Sequence, residues 1–476
     1  MHRALSNYAI SAAAAVAALI ALSPSALAQA GPGGPQVFPT IPGGQRAAEA
    51  ALAALGSVQK DLPAKLTAVA LPAMSAKITG PGAMYDSSPA QWPGYDMKHF
   101  NYEMGEYFVS GTASGKPYTT RLVIRKPASN AKFSGLVLAE AMHPIGAAHG
   151  FEYTSVYTMD SGHAAAEILT SGPGLFVNFN KERYGKLQMT PDQSNEILAQ
   201  VGALVRSKKG PLAGLAVRKM VLFGTSASSY ILTNYLPSHM VYRTPEMQHI
   251  YDGFLPTSNG SLIQNVDVPI IQIPTQHEYE NIATARQDSD KPGEQFRDYE
   301  FAGMGHLDSR NNIRFKDSDC VNPRSSFPLE AYMSVGLHHL FEWVDKGISP
   351  PRADRILIDR NTGNDGSLMA LDENGNPRGG IRNPYVDLAV YKYTARNTPS
   401  KPAPAGAGAL NMGPGLLCML SVWTTPIPQA KLKQTYGDKG KYEQKFEARL
   451  KELEKEGWSL PVYHDLIMAD ARRVAF

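Results

Sequence analysis

From residue 135 to residue 346 the chain alternates short apolar runs with stretches of helical periodicity, and no other feature restricts its fold as much. Residues 135–140 (GLVLAE), 175–179 (LFVNF), 220–223 (MVLF), 251–256 (YDGFLP), 268–273 (VPIIQI) and 297–301 (RDYEF) read as strands. Residues 195–206 (NEILAQVGALVR) and 328–346 (PLEAYMSVGLHHLFEWVDK) carry apolar positions at helical spacing, and the second run stops at Gly347 before Pro350-Pro351. Parallel strands need long crossovers, usually helices, so the alternation predicts an α/β class: a mostly parallel sheet covered by helices on both faces. Upstream, residues 107–126 (YFVSGTASGKPYTTRLVIRK) read as two strands joined by a glycine-containing turn.

The chain start is read separately. Arg3, the apolar run at 12–22 and the small-x-small triplet Ala26-Leu27-Ala28 make residues 1–28 a signal peptide, with an apolar anchor as the alternative. The run is shorter than the roughly 20 residues a membrane helix needs. The mature protein is therefore expected in the periplasm or outside the cell. Residues 29–95 read as a Gly/Pro leader (31–44) and an Ala-rich helical arm (45–60), and residues 96–476 as the main domain with a loop-rich region at about 352–420. The two cysteines, Cys320 and Cys418, would form one disulfide in an oxidising compartment; two separate buried thiols are the alternative. No C-x-x-C or H-E-x-x-H spacing occurs, so no metal site and no cofactor are expected. His143, His149 and His163 read as lid or pocket histidines, and residues 372–376 (DENGN) as a hairpin turn. Residues 441–457 read as a solvated, charge-rich helix. The net charge of +3 gives no reason to expect nucleic acid as a partner.

In an open α/β sheet, reacting groups collect where strands end. After residues 220–223 stands Ser226, within Gly224-Thr225-Ser226-Ala227-Ser228. A sharp strand-to-helix turn of small residues lifts a serine above the sheet and aims the next amide, that of Ala227, at a developing oxyanion. The fifth place is Ser228 rather than glycine, and a helix cap is the rival reading. After residues 268–273 come Glu278 and Glu280; Glu278 is the expected acid and Glu280 the reserve. After residues 297–301, Gly303 and Gly305 precede His306, a tight turn that presents an imidazole as general base. The order Ser, acid, His, each after a strand, is that of a nucleophilic triad.

From about residue 107 onward the sequence also resembles a family, the "alpha/beta hydrolase domain" proteins of the alpha/beta hydrolase superfamily. The resemblance rests on residues 106–113 (EYFVSGTA), 183–187 (RYGKL), the serine turn, 251–255 (YDGFL), 301–306 (FAGMGH), Trp343-Val344, Pro350-Pro351 and 379–384 (GGIRNP). Family members often have Gln where this chain has Ala227, and Thr-Glu-Thr-Asp where it has Thr275-Gln276-His277-Glu278. The resemblance implies an alpha/beta hydrolase fold with N-terminal strands and a C-terminal extension. It also implies a second oxyanion donor from the loop after residues 135–140, with Met142 chosen over Ala141.

The expected function is a secreted or periplasmic serine hydrolase that cleaves carboxylic esters, small or polymeric, through an acyl-enzyme and without a cofactor. An amidase or peptidase with the same triad is the alternative within enzymes, and a non-catalytic binding protein on this scaffold the alternative outside them.

Overall fold

The computed structural model describes residues 65–89, 92–260, 263–279, 286–310, 317–359, 369–401 and 414–476. The expected signal peptide, the Gly/Pro leader, the Ala-rich arm and Glu280 lie outside the described residues.

Nine strands form the main sheet: β1 (Ala73–Met74), β2 (Tyr102–Ala113), β3 (Lys116–Pro127), β4 (Leu136–Ala141), β5 (Ala164–Ile168), β6 (Lys219–Thr225), β7 (Gly253–Thr257), β8 (Ile270–Gln272) and β9 (Phe296–Asp298). Their spatial order is β1-β2-β3-β5-β4-β6-β7-β8-β9. β1, β2, β3 and β5 pair antiparallel in sequence, and every pairing from β5 through β4 to β9 is parallel. The β2–β3 turn uses Ser114 (φ 50°) and Gly115 (φ 72°), the two positive φ angles that match the twist of a two-residue hairpin.

The helices that matter to the site are α1 (Pro173–Phe179), α2 (Ser194–Arg206), α3 (Ala227–His239), α4 (Leu329–Lys346), α5 (Lys439–Glu456) and α6 (His464–Arg473). Strand periodicity divides the core in two. Met220 and Leu222 of β6 face α2 and α3 through Ile197, Val201, Leu232 and Leu236, all buried. Val221 and Phe223 face the opposite side, where α4 supplies Met333, Leu337 and Leu340. Each such side chain withdrawn from water stabilises the fold by about 1.5–3 kcal/mol. β6, buried on both faces, is thereby held rigid up to its carboxyl end.

Two sequence expectations are corrected, and one strand was not foreseen. Residues 175–179 form part of α1, not a strand. Pro173 occupies the first helical turn, and Phe176 alone of the helix is buried. The unforeseen strand Ala164–Ile168 (AAAEI) has a single large apolar residue, Ile168; burial between β3 and β4 makes it a strand. Helix α5 is not a wholly solvated face, because Tyr442, Phe446, Leu450 and Leu453 bury one stripe of it.

The stretches EYFVSGTA and RYGKL meet in one buried network. Glu106 accepts from Arg121, from both Nε (2.8 Å) and Nη2 (2.6 Å) of Arg183, and from Tyr184 (2.9 Å). Arg121 also pairs with Glu167, which accepts from Arg125 (3.1 Å) and Ser87 (2.6 Å). Charges this deeply buried need mutual satisfaction, which fixes how β2, β3, β5 and the segment after α1 sit together.

The C-terminal extension adds an antiparallel pair, β10 (Tyr391–Thr394) and β11 (Trp423–Pro426). Cys320 and Cys418 are disulfide-bonded, with Cα atoms 5.5 Å apart. Asp372 accepts from the amides of Asn374 and Asn376 (2.9 Å each), which makes residues 372–376 a tight turn. No helix among the described residues is long and apolar enough to cross a membrane.

Candidate active site

Ser226 stands between β6 and α3 with φ 51° and ψ −122°, a conformation hostile to a residue with a Cβ. Three contacts hold it there. Its N–H donates to the Thr257 carbonyl at the end of β7 (3.1 Å), and its own carbonyl accepts from Ser229 and Tyr230 of α3 (3.0 and 3.3 Å). The approach of α3 leaves no room for a side chain at Gly224, where a Cβ would lie 2.5 Å from the Ser228 carbonyl oxygen. The Ser226 hydroxyl makes no capping hydrogen bond. The cap reading therefore has no bond to rest on, and the strain is of the kind that lifts a side chain above a sheet.

Ser228, expected only as a small neighbour, does more. Its buried hydroxyl accepts from the Thr225 amide (2.9 Å) and donates to the Thr225 carbonyl (2.8 Å), locking the turn that Ser226 crowns. The signal for it was the fifth place of the motif, where a small residue with a donor and an acceptor replaces glycine.

Glu278 and His306 come together. Oε1 of Glu278 lies 2.8 Å from Nδ1 of His306, both side chains buried. Oε2 accepts from the amide (2.8 Å) and the hydroxyl (2.6 Å) of Thr275. Burial alone raises the Glu278 pKa; the His306 ring and the Thr275 hydroxyl more than reverse this and hold it below its ordinary 4.5. Thr275 was missed as a site residue. The spacing Thr-x-x-Glu, in which an acid reaches back to the amide three residues earlier, is the sequence signal that selects Glu278.

The three loops adjoin through the sheet. Thr257 bridges Ile273 in parallel register, the Ser258 amide donates to the Ile273 carbonyl (2.8 Å), and the Gln276 amide donates to the Met304 carbonyl (2.9 Å). Gly303, with φ 88°, turns the chain toward His306. His277, unpredicted, lies with Nδ1 3.3 Å from the His306 amide and Nε2 3.3 Å from the Arg396 amide. Burial keeps its ring neutral, its pKa pushed down to about 3. The C-terminal extension closes over the same loop: the Leu307 amide donates to the Leu420 carbonyl (3.1 Å), two residues beyond Cys418.

Ala227 is the first residue of α3, where first-turn amides have no acceptor within the helix. Met142 is different. Its N–H donates to the Ile168 carbonyl (2.9 Å), continuing the ladder between β4 and β5, and the next amide, of His143, donates to Ala147 (3.0 Å). The expectation of Met142 as second oxyanion donor is corrected on that ground: the donor is engaged. Glu140 holds the same loop, its Oε2 accepting the Gly150 amide (2.6 Å), and burial together with Glu167 pushes its pKa up to about 8. His143 and His149 pack edge to face, 5.1 Å between centroids, whereas His163 lies apart against Ser134 (2.7 Å) and Tyr157 (3.2 Å).

No curated protein matches the chain. Among solved structures it is similar over part of its length to the esterase Est22 (10% identity, 42% of this chain and 72% of that one, TM-score 0.30). It is likewise similar to a zinc-bound, cold-adapted esterase from an Arctic intertidal metagenomic library (13%, 44% and 88%, TM-score 0.25). A third likeness is to LpqC, a poly(3-hydroxybutyrate) depolymerase from Bordetella parapertussis (12%, 54% and 92%, TM-score 0.31). Overlaps this partial carry no inference about activity. The family model described as "Alpha/beta hydrolase domain", in contrast, matches residues 67–469, from before β1 to within α6, and the chain belongs to that family.

Proposed function

We propose that the protein is a serine hydrolase of carboxylic esters that works through Ser226, His306 and Glu278. The observation that carries this reading is the Glu278–His306 pair on the loops after β8 and β9, on the same edge of the sheet as the strained Ser226 after β6. With Nδ1 bonded to the carboxylate, Nε2 of His306 is the nitrogen left for proton exchange. It takes the hydroxyl proton as Ser226 attacks the ester carbonyl. The ionised Glu278 stabilises the imidazolium, and the Ala227 amide stabilises the oxyanion. The imidazolium then protonates the leaving alcohol, and water activated by His306 releases the acid and restores Ser226.

An apolar rim supports apolar esters as substrates. The loop after β4 exposes Ile145 (45%), and α1 after β5 exposes Leu175 (38%) and Phe179 (50%). A side chain at Gly146 would meet Leu175 and Tyr85, and Tyr85 packs on Phe179 (5.2 Å between centroids), so the three form one patch. β4 and β5 run parallel to β6, so the patch borders the serine end of the sheet. The reading includes export to the periplasm or beyond, which the Cys320–Cys418 disulfide suits.

Labelling with a fluorophosphonate probe tests the nucleophile. Wild-type protein is expected to label and Ser226→Ala not to; equal labelling of both, or of neither beside a reactive control esterase, overturns the reading.

A further inference from the structure

At the opposite end of α3 from Ser226, three side chains converge that no short sequence motif connects. His239, the last residue of α3, directs Nε2 to Oδ1 of Asp267 (2.8 Å). His249, ahead of β7, directs Nε2 to Oδ2 of the same carboxylate (2.9 Å). The two imidazoles stack at 5.3 Å between centroids and 22°, and one ligand atom from each of the three residues falls within 4.8 Å of the others. His239 is fully buried, while His249 and Asp267 are about one-third exposed, so the cluster has an inner wall and an open outer side.

We infer that His239, His249 and Asp267 form a binding site for one divalent transition-metal ion of the zinc class. Two imidazole nitrogens and a carboxylate oxygen are the donors such ions select, and the solvent side leaves a position for water. Bonds of about 2.0–2.2 Å place ligand atoms roughly 3.3 Å apart in a tetrahedral site, so the carboxylate–imidazole contacts of 2.8 and 2.9 Å open slightly to admit the ion. Arg243 is the supporting residue. It is anchored on the carbonyls of His239 (2.6 Å) and Tyr242 (2.9 Å) and donates to Oδ2 of Asp267 (3.0 Å), which fixes the carboxylate plane. Its charge opposes a cation, which disfavours calcium or magnesium and leaves ions that bind imidazole strongly. The role is structural, because α3, a 13-residue helix, separates the cluster from Ser226 by about 20 Å. An ion here would tie the end of the helix that carries the nucleophile turn to the segments entering β7 and β8.

The test is calorimetric titration of tag-free, chelator-treated full-length protein with zinc chloride, with cobalt(II) absorption as a second readout. Wild type is expected to bind one ion saturably and to gain thermal stability with zinc. The double variant His249→Ala/Asp267→Asn is expected to bind at least tenfold more weakly and to gain none. The variant His149→Ala, in the His143–His149 pair, is expected to bind zinc as wild type does. Absence of binding, or a loss below tenfold in the double variant, overturns the site. If the double variant fails to fold, His249→Ala alone, at a partly exposed position, decides by the same tenfold criterion.

Discussion

One oxygen of the Glu278 carboxylate meets Nδ1 of His306 at 2.8 Å while the other is held by both donors of Thr275, so the acid cannot turn away from the ring. An amide in its place removes the charge and turns one of these two acceptors into a donor. Glu278→Gln is expected to lower kcat by roughly 10³–10⁴-fold with little change in KM, since a neutral amide no longer stabilises the imidazolium. The carboxyl pKa lies below its ordinary 4.5 in the fold, so its contribution to stability is complete above that value and is lost as pH falls below it. Acid unfolding followed by circular dichroism is therefore expected to be less steep in Glu278→Gln than in wild type.

The Ser226 hydroxyl caps nothing, so its removal is expected to leave stability almost untouched. Loss of a true N-cap costs about 1 kcal/mol. Ser226→Ala should lie within about 0.5 kcal/mol of wild type by denaturant unfolding while losing at least roughly 10³-fold in ester hydrolysis. Destabilisation by a full cap's worth, with activity retained, would return the serine to a structural role.

Cys418 joins the segment whose Leu420 carbonyl holds the amide after His306. The disulfide spans 98 residues of sequence, a loop whose closure is worth about 4.7 kcal/mol in the chain-entropy model. Cys320→Ser/Cys418→Ser is expected to lower Tm by several degrees and to lower kcat as well, because the His306 loop loses its clamp. Thermal scans with and without reductant, paired with initial rates, check both effects.

The apolar rim predicts chain-length selectivity. Ile145→Ser/Phe179→Ser is expected to raise KM for long-chain p-nitrophenyl esters roughly tenfold, about 1.4 kcal/mol of lost apolar contact, and to leave p-nitrophenyl acetate unaffected. Equal effects on both substrates would mean the patch does not meet the acyl chain.

Local features were legible in the sequence, with one local misreading: residues 175–179 have the composition of a strand and form a helix. Alternation located β4, β6, β7 and β8 because apolar runs bounded by turn residues are a property of neighbouring positions. Small residues around Ser226 and two glycines before His306 marked sharp strand-end turns for the same reason. The alanine-rich β5 escaped, since its strand character comes only from burial between β3 and β4. The sequence by itself thus determined the mostly parallel, two-faced sheet and the strand-end turns at which Ser226 and His306 stand. The tertiary structure alone decided that Glu278 reaches His306, that the Met142 amide is spent on Ile168, that Leu420 holds the amide next to His306, and that His239, His249 and Asp267 meet. Each of those depends on a distance between segments far apart in the chain. Such distances follow from strand register, sheet twist and helix packing, which sequence spacing does not encode.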